Sequence, residues 1–269
     1  MSEIIVGAVA YDPKAVTIWE AVRDLFRERP HTLDYRLFSN YESQLEALFE
    51  GEIDIAWNTP VAWVKAKRRS KGEARALVMR DTDQGFTSKL LARTGSGITH
   101  PRDLRQRRLA VGSRDSAQAA ILPLEHVFRA GLVEKKDVTV LHFDSDIGKH
   151  GDTGTSELDV VKAIVENRAD AGFVGDATWA RLLAEGVVDR HVLQAVWSSP
   201  PFDHCNFTAL PRLAADKAAS FTEGLLAMRY EEPAVRRMMD LEGLKKWLPG
   251  RTDHYALLEE AMERQGFFR

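Results

Sequence analysis

Two stretches of this chain carry the same pattern 116 positions apart. Leu45 to Trp57 aligns with Val161 to Phe173, and the correspondence runs on to Trp63 and Trp179. Each copy reads as an amphipathic helix, a tight turn, a short buried strand and the start of another helix. A unit used twice predicts two similar α/β lobes rather than one long domain. Lobes whose strand ends face each other make a cleft, and clefts bind small molecules.

The 269 residues are enough for two lobes that each bury a core. A net charge of −3 gives no footprint for nucleic acid or an anionic membrane. The basic run Lys65 to Arg69 falls at a helix end, where it complements the helix dipole. Cys205 is the one cysteine, so no disulfide forms within the chain, which fits a reducing compartment. The apolar run Ile4 to Ala10 is too short for a membrane span and lacks a basic leader and a cleavage site. The expectation is a cytoplasmic protein, or a periplasmic one if a leader has been trimmed away.

Along the chain, Ile4–Val9 reads as a buried parallel strand, 13–29 as a helix, 32–38 as a strand, 41–50 as a helix and 53–57 as a third strand. This βαβαβ series is the pattern of a parallel sheet with covering helices. Strands are expected at 74–79 and 88–93. A second series follows with a strand at 109–112, a helix at 116–130, a strand at 138–143, a helix at 156–167 and a strand at 171–174. The segments 192–196 and 207–210 read as strands returning to the first lobe, and the tail from Arg212 is helical. The reading is an α/β protein with lobe I at 1–87 and 199–269 and lobe II at 88–198. The polar stretch 144–156, with three glycines, is long for a strand-to-helix loop and reads either as a lid or as a passive insertion.

Ligands of open α/β sheets meet the carboxyl ends of strands and the amino ends of the following helices. Four junctions qualify: Ala10-Tyr11-Asp12, Trp57 to Pro60, Ser113 to Gln118, and Gly175 to Thr178. Helix capping alone would account for Asn58, Asp115 and Asp176, and Trp57 would serve equally as core. The densest run of reactive side chains is Pro200-Pro201-Phe202-Asp203-His204-Cys205-Asn206. Cysteine and histidine together can act as nucleophile and base. Neighbours on a strand point to opposite faces, however, so His204 and Cys205 are not expected to meet. His142, His150, Asp144, Asp146 and Asp152 match no standard metal spacing and read as solvated loop residues. No metal and no cofactor is expected, and there is no P-loop or dinucleotide fingerprint.

Several of these segments, taken in order, resemble the phosphonate-binding periplasmic proteins. They are Asp54 to Trp63, Ser96-Gly97-Ile98 through Leu104, Asp115 to Ala119 followed by Pro123, Ala169 to Gly172, and Trp197 to Pro201. The resemblance implies a two-lobed type II periplasmic-binding-protein fold, each lobe a mostly parallel sheet flanked by helices. It also implies an inter-lobe cleft that buries the ligand by hinge closure, and Asp115 to Ala119 occupies the position of that family's anion loop. Two departures matter. The family's Thr-Ser pair is Ala117-Gln118 here, and Glu157 stands where the family tends to carry histidine. A carboxylate repels a bare phosphonate, so an amide- or amine-bearing ligand or an aromatic carboxylate suits Gln118 and Glu157 better.

The expected ligand-binding residues are Tyr11, Trp57, Asn58, Phe86, Asp115, Ser116, Gln118, Glu157, Asp176 and His204. The expected function is binding of a small anion, as a relative of phosphonate ABC-transport receptors, with a transporter permease as the partner. The alternative is an intracellular biosynthetic enzyme on the same fold, a lyase, decarboxylase or cofactor-pathway enzyme using Glu157, His204 or Cys205. The sequence leaves the oligomeric state open.

Overall fold

The structure is a computed structural model that describes residues 3–268. The elements run β1 (Ile4–Val9), α1 (Lys14–Leu25), β2 (Leu33–Phe38), α2 (Tyr41–Glu50), β3 (Ile55–Asn58), α3 (Pro60–Arg69), β4 (Arg75–Ala76), β5 (Val78–Arg80) and β6 (Ser88–Arg93). They continue with β7 (Arg108–Val111), α4 (Leu122–Arg129), β8 (Thr139–His142), α5 (Thr155–Val165), β9 (Ala171–Gly175), α6 (Asp176–Ala184) and β10 (Leu193–Ser198). Last come β11 (Asn206–Ala209), α7 (Ala215–Leu226), α8 (Pro233–Glu242), β12 (Trp247–Pro249) and α9 (Ala256–Arg264). The chain forms two compact units. One runs up to Gly85 and includes Asp203–Tyr255; the other comprises Phe86–Phe202 and the stretch from Ala256 onward.

The first unit holds a sheet of order β2-β1-β3-β11-β4. β1 pairs in parallel with β2 and β3, and β11 runs antiparallel between β3 and β4. The strand expected at 74–79 is two short ones, because β5 leaves this sheet to pair with β12. One face buries an aromatic cluster in which Phe207 lies 4.5 Å from Trp57, 4.9 Å from Phe221 and 5.6 Å from Trp247 between ring centroids. Such rings contribute large apolar areas to a core and pack edge-on or tilted.

The second unit repeats the plan in a sheet of order β10-β6-β9-β7-β8. β7 pairs in parallel with β8 and β9, and β6 runs antiparallel beside β9. The sequence repeat is visible in the registers. Ile55 of β3 pairs with Val6, and its repeat partner Ala171 of β9 pairs with Leu109. Both faces of this sheet are covered: Leu90, Leu109 and Phe173 pack on one side, and Leu91, Ala110 and Val174 on the other. That arrangement is why these strands read as apolar runs rather than alternating ones.

Three expectations are corrected here. Residues 192–196 do not return to the first lobe: β10 pairs antiparallel with β6 at the edge of the second sheet. The tail beyond Tyr255 belongs to the second unit rather than to lobe I. Its Arg264 meets the fully buried Glu125 at 2.9 Å, and Gln265 donates to the Ile121 carbonyl. Burial by itself would raise the Glu125 carboxyl, but Arg129 and Arg264 hydrogen-bond to it and hold it below the ordinary value. Finally, the helix expected at 116–130 opens with a π-helical stretch, Ala117–Ile121. Pro123 lacks the N–H that would bond Ala119, and the Ala119 carbonyl accepts from Gly112 instead at 2.9 Å.

Gly172 lies at the middle of β9, flanked by β6 and β7. An added Cβ would sit 2.9 Å from the Ala110 carbonyl oxygen and 2.5 Å from a Val160 methyl. Gly172→Ala is therefore expected to destabilise the protein by about 1–3 kcal/mol through overpacking. A lowered urea midpoint in the circular dichroism transition checks this.

Candidate functional site

In the first unit, polar groups gather where β3 hands over to α3. Thr59, not Asn58, caps α3, its hydroxyl accepting from the Ala62 N–H at 3.2 Å. Asn58 is the last residue of β3 and is fully buried. Gln44 reaches it from α2, donating from Nε2 to the Trp57 carbonyl and to Asn58 Oδ1, each at 2.9 Å. The Trp57 carbonyl fixes which way Gln44 points, and Gln44 in turn fixes Asn58. The Asn58 Nδ2, the Gln44 Oε1 and the Trp63 Nε1 are then buried with no hydrogen-bond partner among the described residues. A buried polar atom without a partner costs roughly 1–3 kcal/mol, which makes this junction a candidate site for a polar guest. Gln44 and Trp63 were not among the expected site residues. The signal in the sequence is a glutamine on the apolar stripe of α2, beside Tyr41, Leu45 and Leu48.

The other first-unit candidates fall differently. Trp57 is core, packed tilted on Phe207 and edge-on to Trp247 and covered by the Arg80 guanidinium, 5.1 Å from its ring. Tyr11 follows β1 with Lys14 5.9 Å from its ring. His204 and Cys205 do meet, contrary to expectation: Cys205 Sγ lies 3.1 Å from His204 Nδ1. Side chains alternate only within a paired strand, and β11 begins one residue later, at Asn206. Asp83 lies against the same pair, 3.4 Å from His204 Nδ1. Burial would raise the Asp83 carboxyl, but Arg80 and His204 override it and hold it at about 2.

In the second unit, Ser116 supplies the cap before the π-helical stretch, accepting from the Ala119 N–H at 3.2 Å. Asp115 instead accepts from the Gly148 N–H at 2.6 Å. Asp176 is the first residue of α6 and accepts from both the N–H and the hydroxyl of Thr87. Glu157 is 2% exposed. One of its oxygens accepts from the Gly175 N–H at 2.8 Å, the other from Gln118 Nε2 at 3.1 Å. Phe86 bridges to Phe202, and its ring packs on Gly175 together with Gln118. Ser116, Gln118, Glu157 and Phe86 thus share one neighbourhood, while Asp115 and Asp176 hold the backbone around it.

The stretch 144–154 is built into that neighbourhood. Asp146 accepts from the Ser156 N–H at 2.9 Å and from the Thr153 hydroxyl, and its own N–H donates to Ser113. Asp146 and His150 are each 1% exposed, so they are not the solvated loop residues expected. Gly151, at φ +86°, packs directly on Ser116 and Gln118, where any side chain would collide. Nearby, the Ser156 hydroxyl is buried without a hydrogen-bond partner among the described residues.

The sequence model of a family described as "ABC transporter, phosphonate, periplasmic substrate-binding protein" matches residues 8–255. Among solved structures, PhnD1 from Prochlorococcus marinus in complex with methylphosphonate is 16% identical, with a TM-score of 0.75 and 98% of each chain covered. XAC2383 from Xanthomonas citri bound to ATP gives the same three values. The aliphatic sulphonate binding protein SsuA from Escherichia coli is 15% identical with a TM-score of 0.64, covering 99% of this chain and 92% of that one. At these identities the likeness concerns the fold. An uncharacterized Haemophilus influenzae protein is 50% identical over 36 residues, 13% of this chain, and the matched stretch spans about half of that protein, 51%.

Asp83 ionises at about 2 in the folded protein, against 3.8 for an unperturbed carboxyl. Its charge therefore stabilises the fold fully above about pH 4, and that contribution is lost as pH falls toward about 2. Asp83→Asn is expected to lower stability near neutral pH by about 3 kcal/mol, because it removes the main partner of a half-buried guanidinium. It is also expected to flatten the acid limb of stability against pH, as read by denaturant titrations between pH 6 and 2.5.

Proposed function

Because the chain belongs to the phosphonate family of periplasmic substrate-binding proteins of ABC transporters, we propose that it captures a small anion bearing a hydrogen-bond donor and delivers it to a transporter permease. The observation that carries this reading is the pair of buried donors without acceptors, Asn58 Nδ2 and Trp63 Nε1. Neutral donors of this kind suit an oxyanion, which would supply the missing acceptors. In the second unit, Ser116, Gln118 and the π-helical stretch that follows take the anion-loop position. The Ala117-Gln118 pair offers one amide where the family offers two hydroxyls, and Glu157 adds a carboxylate.

That carboxylate sets the ligand class. A bare phosphonate dianion meets repulsion from Glu157, whereas an amine or amide on the ligand meets an acceptor. Each unit offers its own set of candidate ligand contacts, Asn58, Trp63 and Gln44 in the first and Phe86, Ser116, Gln118 and Glu157 in the second. Tyr11 and His204 stay candidates, while Trp57, Asp115 and Asp176 are assigned to packing and backbone support. An enzymatic role for Glu157 has little support, since both of its oxygens already accept hydrogen bonds. The family is described as periplasmic, and no helix of the described residues is long and apolar enough to cross a membrane. The cytoplasmic expectation draws no support from either.

A thermal-shift panel of alkylphosphonates, aminoalkylphosphonates, alkylsulfonates, phosphate and ATP tests the reading. At least one small anion is expected to raise the melting temperature, with about 2.7 kcal/mol of stabilisation at a hundredfold excess over Kd. Aminoalkylphosphonates are expected to outperform methylphosphonate. Asn58→Ala is expected to weaken the best ligand about tenfold, or about 1.4 kcal/mol. Glu157→Gln is expected to strengthen methylphosphonate binding by a similar factor, measured by calorimetry. A panel in which no anion stabilises the protein overturns the proposal.

A further inference from the structure

One cluster of ligand-type side chains shares only His204 with the candidate contacts for the anion. Asp83, His204 and Cys205 are all buried, and their functional atoms lie within 4.8 Å of one another. They occupy the two places where the chain passes between units, just before Gly85 and just after Phe202. The His204 N–H donates to the Asp83 carbonyl at 2.8 Å, and the Cys205 N–H donates to Asp83 Oδ1 at 3.2 Å.

The donor set looks like a metal site, but Asp83 is already saturated. Its Oδ2 accepts from Arg80 Nε at 2.7 Å and from the Arg80 N–H at 3.2 Å. Its Oδ1 accepts from Arg80 Nη2 at 2.8 Å and from Cys205 N. A carboxylate offers about four acceptor positions, and here two face the guanidinium and two face backbone N–H groups, so the guanidinium stands where a cation would. The arrangement is instead a line of contacts that runs from the Arg80 guanidinium through the Asp83 carboxylate and the His204 imidazole to the Cys205 sulfur. His204 Nδ1 lies 3.4 Å from Asp83 Oδ1 and 3.1 Å from Cys205 Sγ, the spacing at which an imidazole can take the proton of a thiol.

The remaining groups around the cluster leave that order intact. Glu242 pairs with Arg80 at 3.2 Å. Asp203 is matched by Arg251, at 2.6 and 2.8 Å, with His254 3.6 Å away. Tyr255 donates its hydroxyl to the His204 carbonyl, and burial pushes its ionisation far above the ordinary range, so it stays neutral.

The geometry points to Cys205 as a modification site, a thiolate held by His204 that takes an oxygen atom from a small hydroperoxide. The sulfur attacks the distal peroxide oxygen, the S–O bond forms as the O–O bond breaks, and the electron pair leaves with the other oxygen. Sulfur is oxidised by two electrons to the sulfenic acid, and the peroxide is reduced to water or an alcohol. The leaving oxygen takes its proton from the His204 imidazolium. Cys205 is 2% exposed and His204 6%, so the reaction selects small neutral oxidants.

Native protein is treated with hydrogen peroxide across pH 5 to 9, and the thiol that survives is counted by alkylation in denaturant and located by peptide mapping. The urea-denatured chain serves as the reference for an ordinary thiol, with a midpoint near 8.5. The native midpoint is expected at least one unit lower, and His204→Gln is expected to restore the reference profile and slow loss at pH 6 about tenfold. If the variant fails to fold, the native and denatured midpoints decide alone. Coincident midpoints, no loss of thiol in the native protein, or an unchanged profile in a folded His204→Gln overturns the proposal. Full protection by equimolar zinc overturns it in favour of a metal site.

Discussion

The Arg80–Asp83 pair organises the first unit. Arg80 covers the Trp57 ring and so closes the aromatic cluster of the core. Asp83 receives the guanidinium through both oxygens and also receives the backbone of Cys205. The outgoing and returning passes of the chain are thereby joined at one buried carboxylate. A buried ion pair is weak evidence for net stability, because desolvation opposes its attraction. Its weight lies in position. Neither partner can leave without stranding the other, and the returning segment is held in the conformation that brings His204 and Cys205 together.

The two units solve one design problem twice. In each sheet the strand second from one edge, β1 or β7, is flanked by parallel neighbours, and an antiparallel strand, β11 or β6, follows beyond the central β3 or β9. The polar groups then collect where parallel strands end and helices begin, as they do in open α/β sheets generally. The two copies have diverged in chemistry. The first presents neutral amide and indole donors from Asn58 and Trp63. The second presents a carboxylate and an amide that already bond each other, Glu157 and Gln118. The closing stretch 144–154 adds shape to this second set, since Gly151 leaves no space above Ser116.

Much of the architecture was legible in the residues. The repeat, the βαβαβ order and most strand positions follow from apolar periodicity, which depends on neighbours a few positions away. The candidate site was legible in part. Asn58, Ser116, Gln118, Glu157 and Phe86 were reached from their places at strand ends or from family likeness. Gln44 and Trp63 were not, since a polar residue on an apolar stripe gives no sign of what it will meet. The alternation rule was carried beyond the strand when applied to His204 and Cys205, and so missed their contact. The tail was assigned by chain order, although the two guanidiniums that bury Glu125 draw it into the second unit.

By itself the sequence determined that there are two α/β halves, where their strands and helices fall, and which family they belong to. Those properties rest on local pattern and on the order of short motifs. Only the tertiary structure decided which polar groups become partners: Gln44 with Asn58, Asp83 with Cys205, Glu157 with Gly175. Such pairs are set by how packed elements bring distant side chains within hydrogen-bonding range once water is excluded, and no periodicity along the chain encodes that distance.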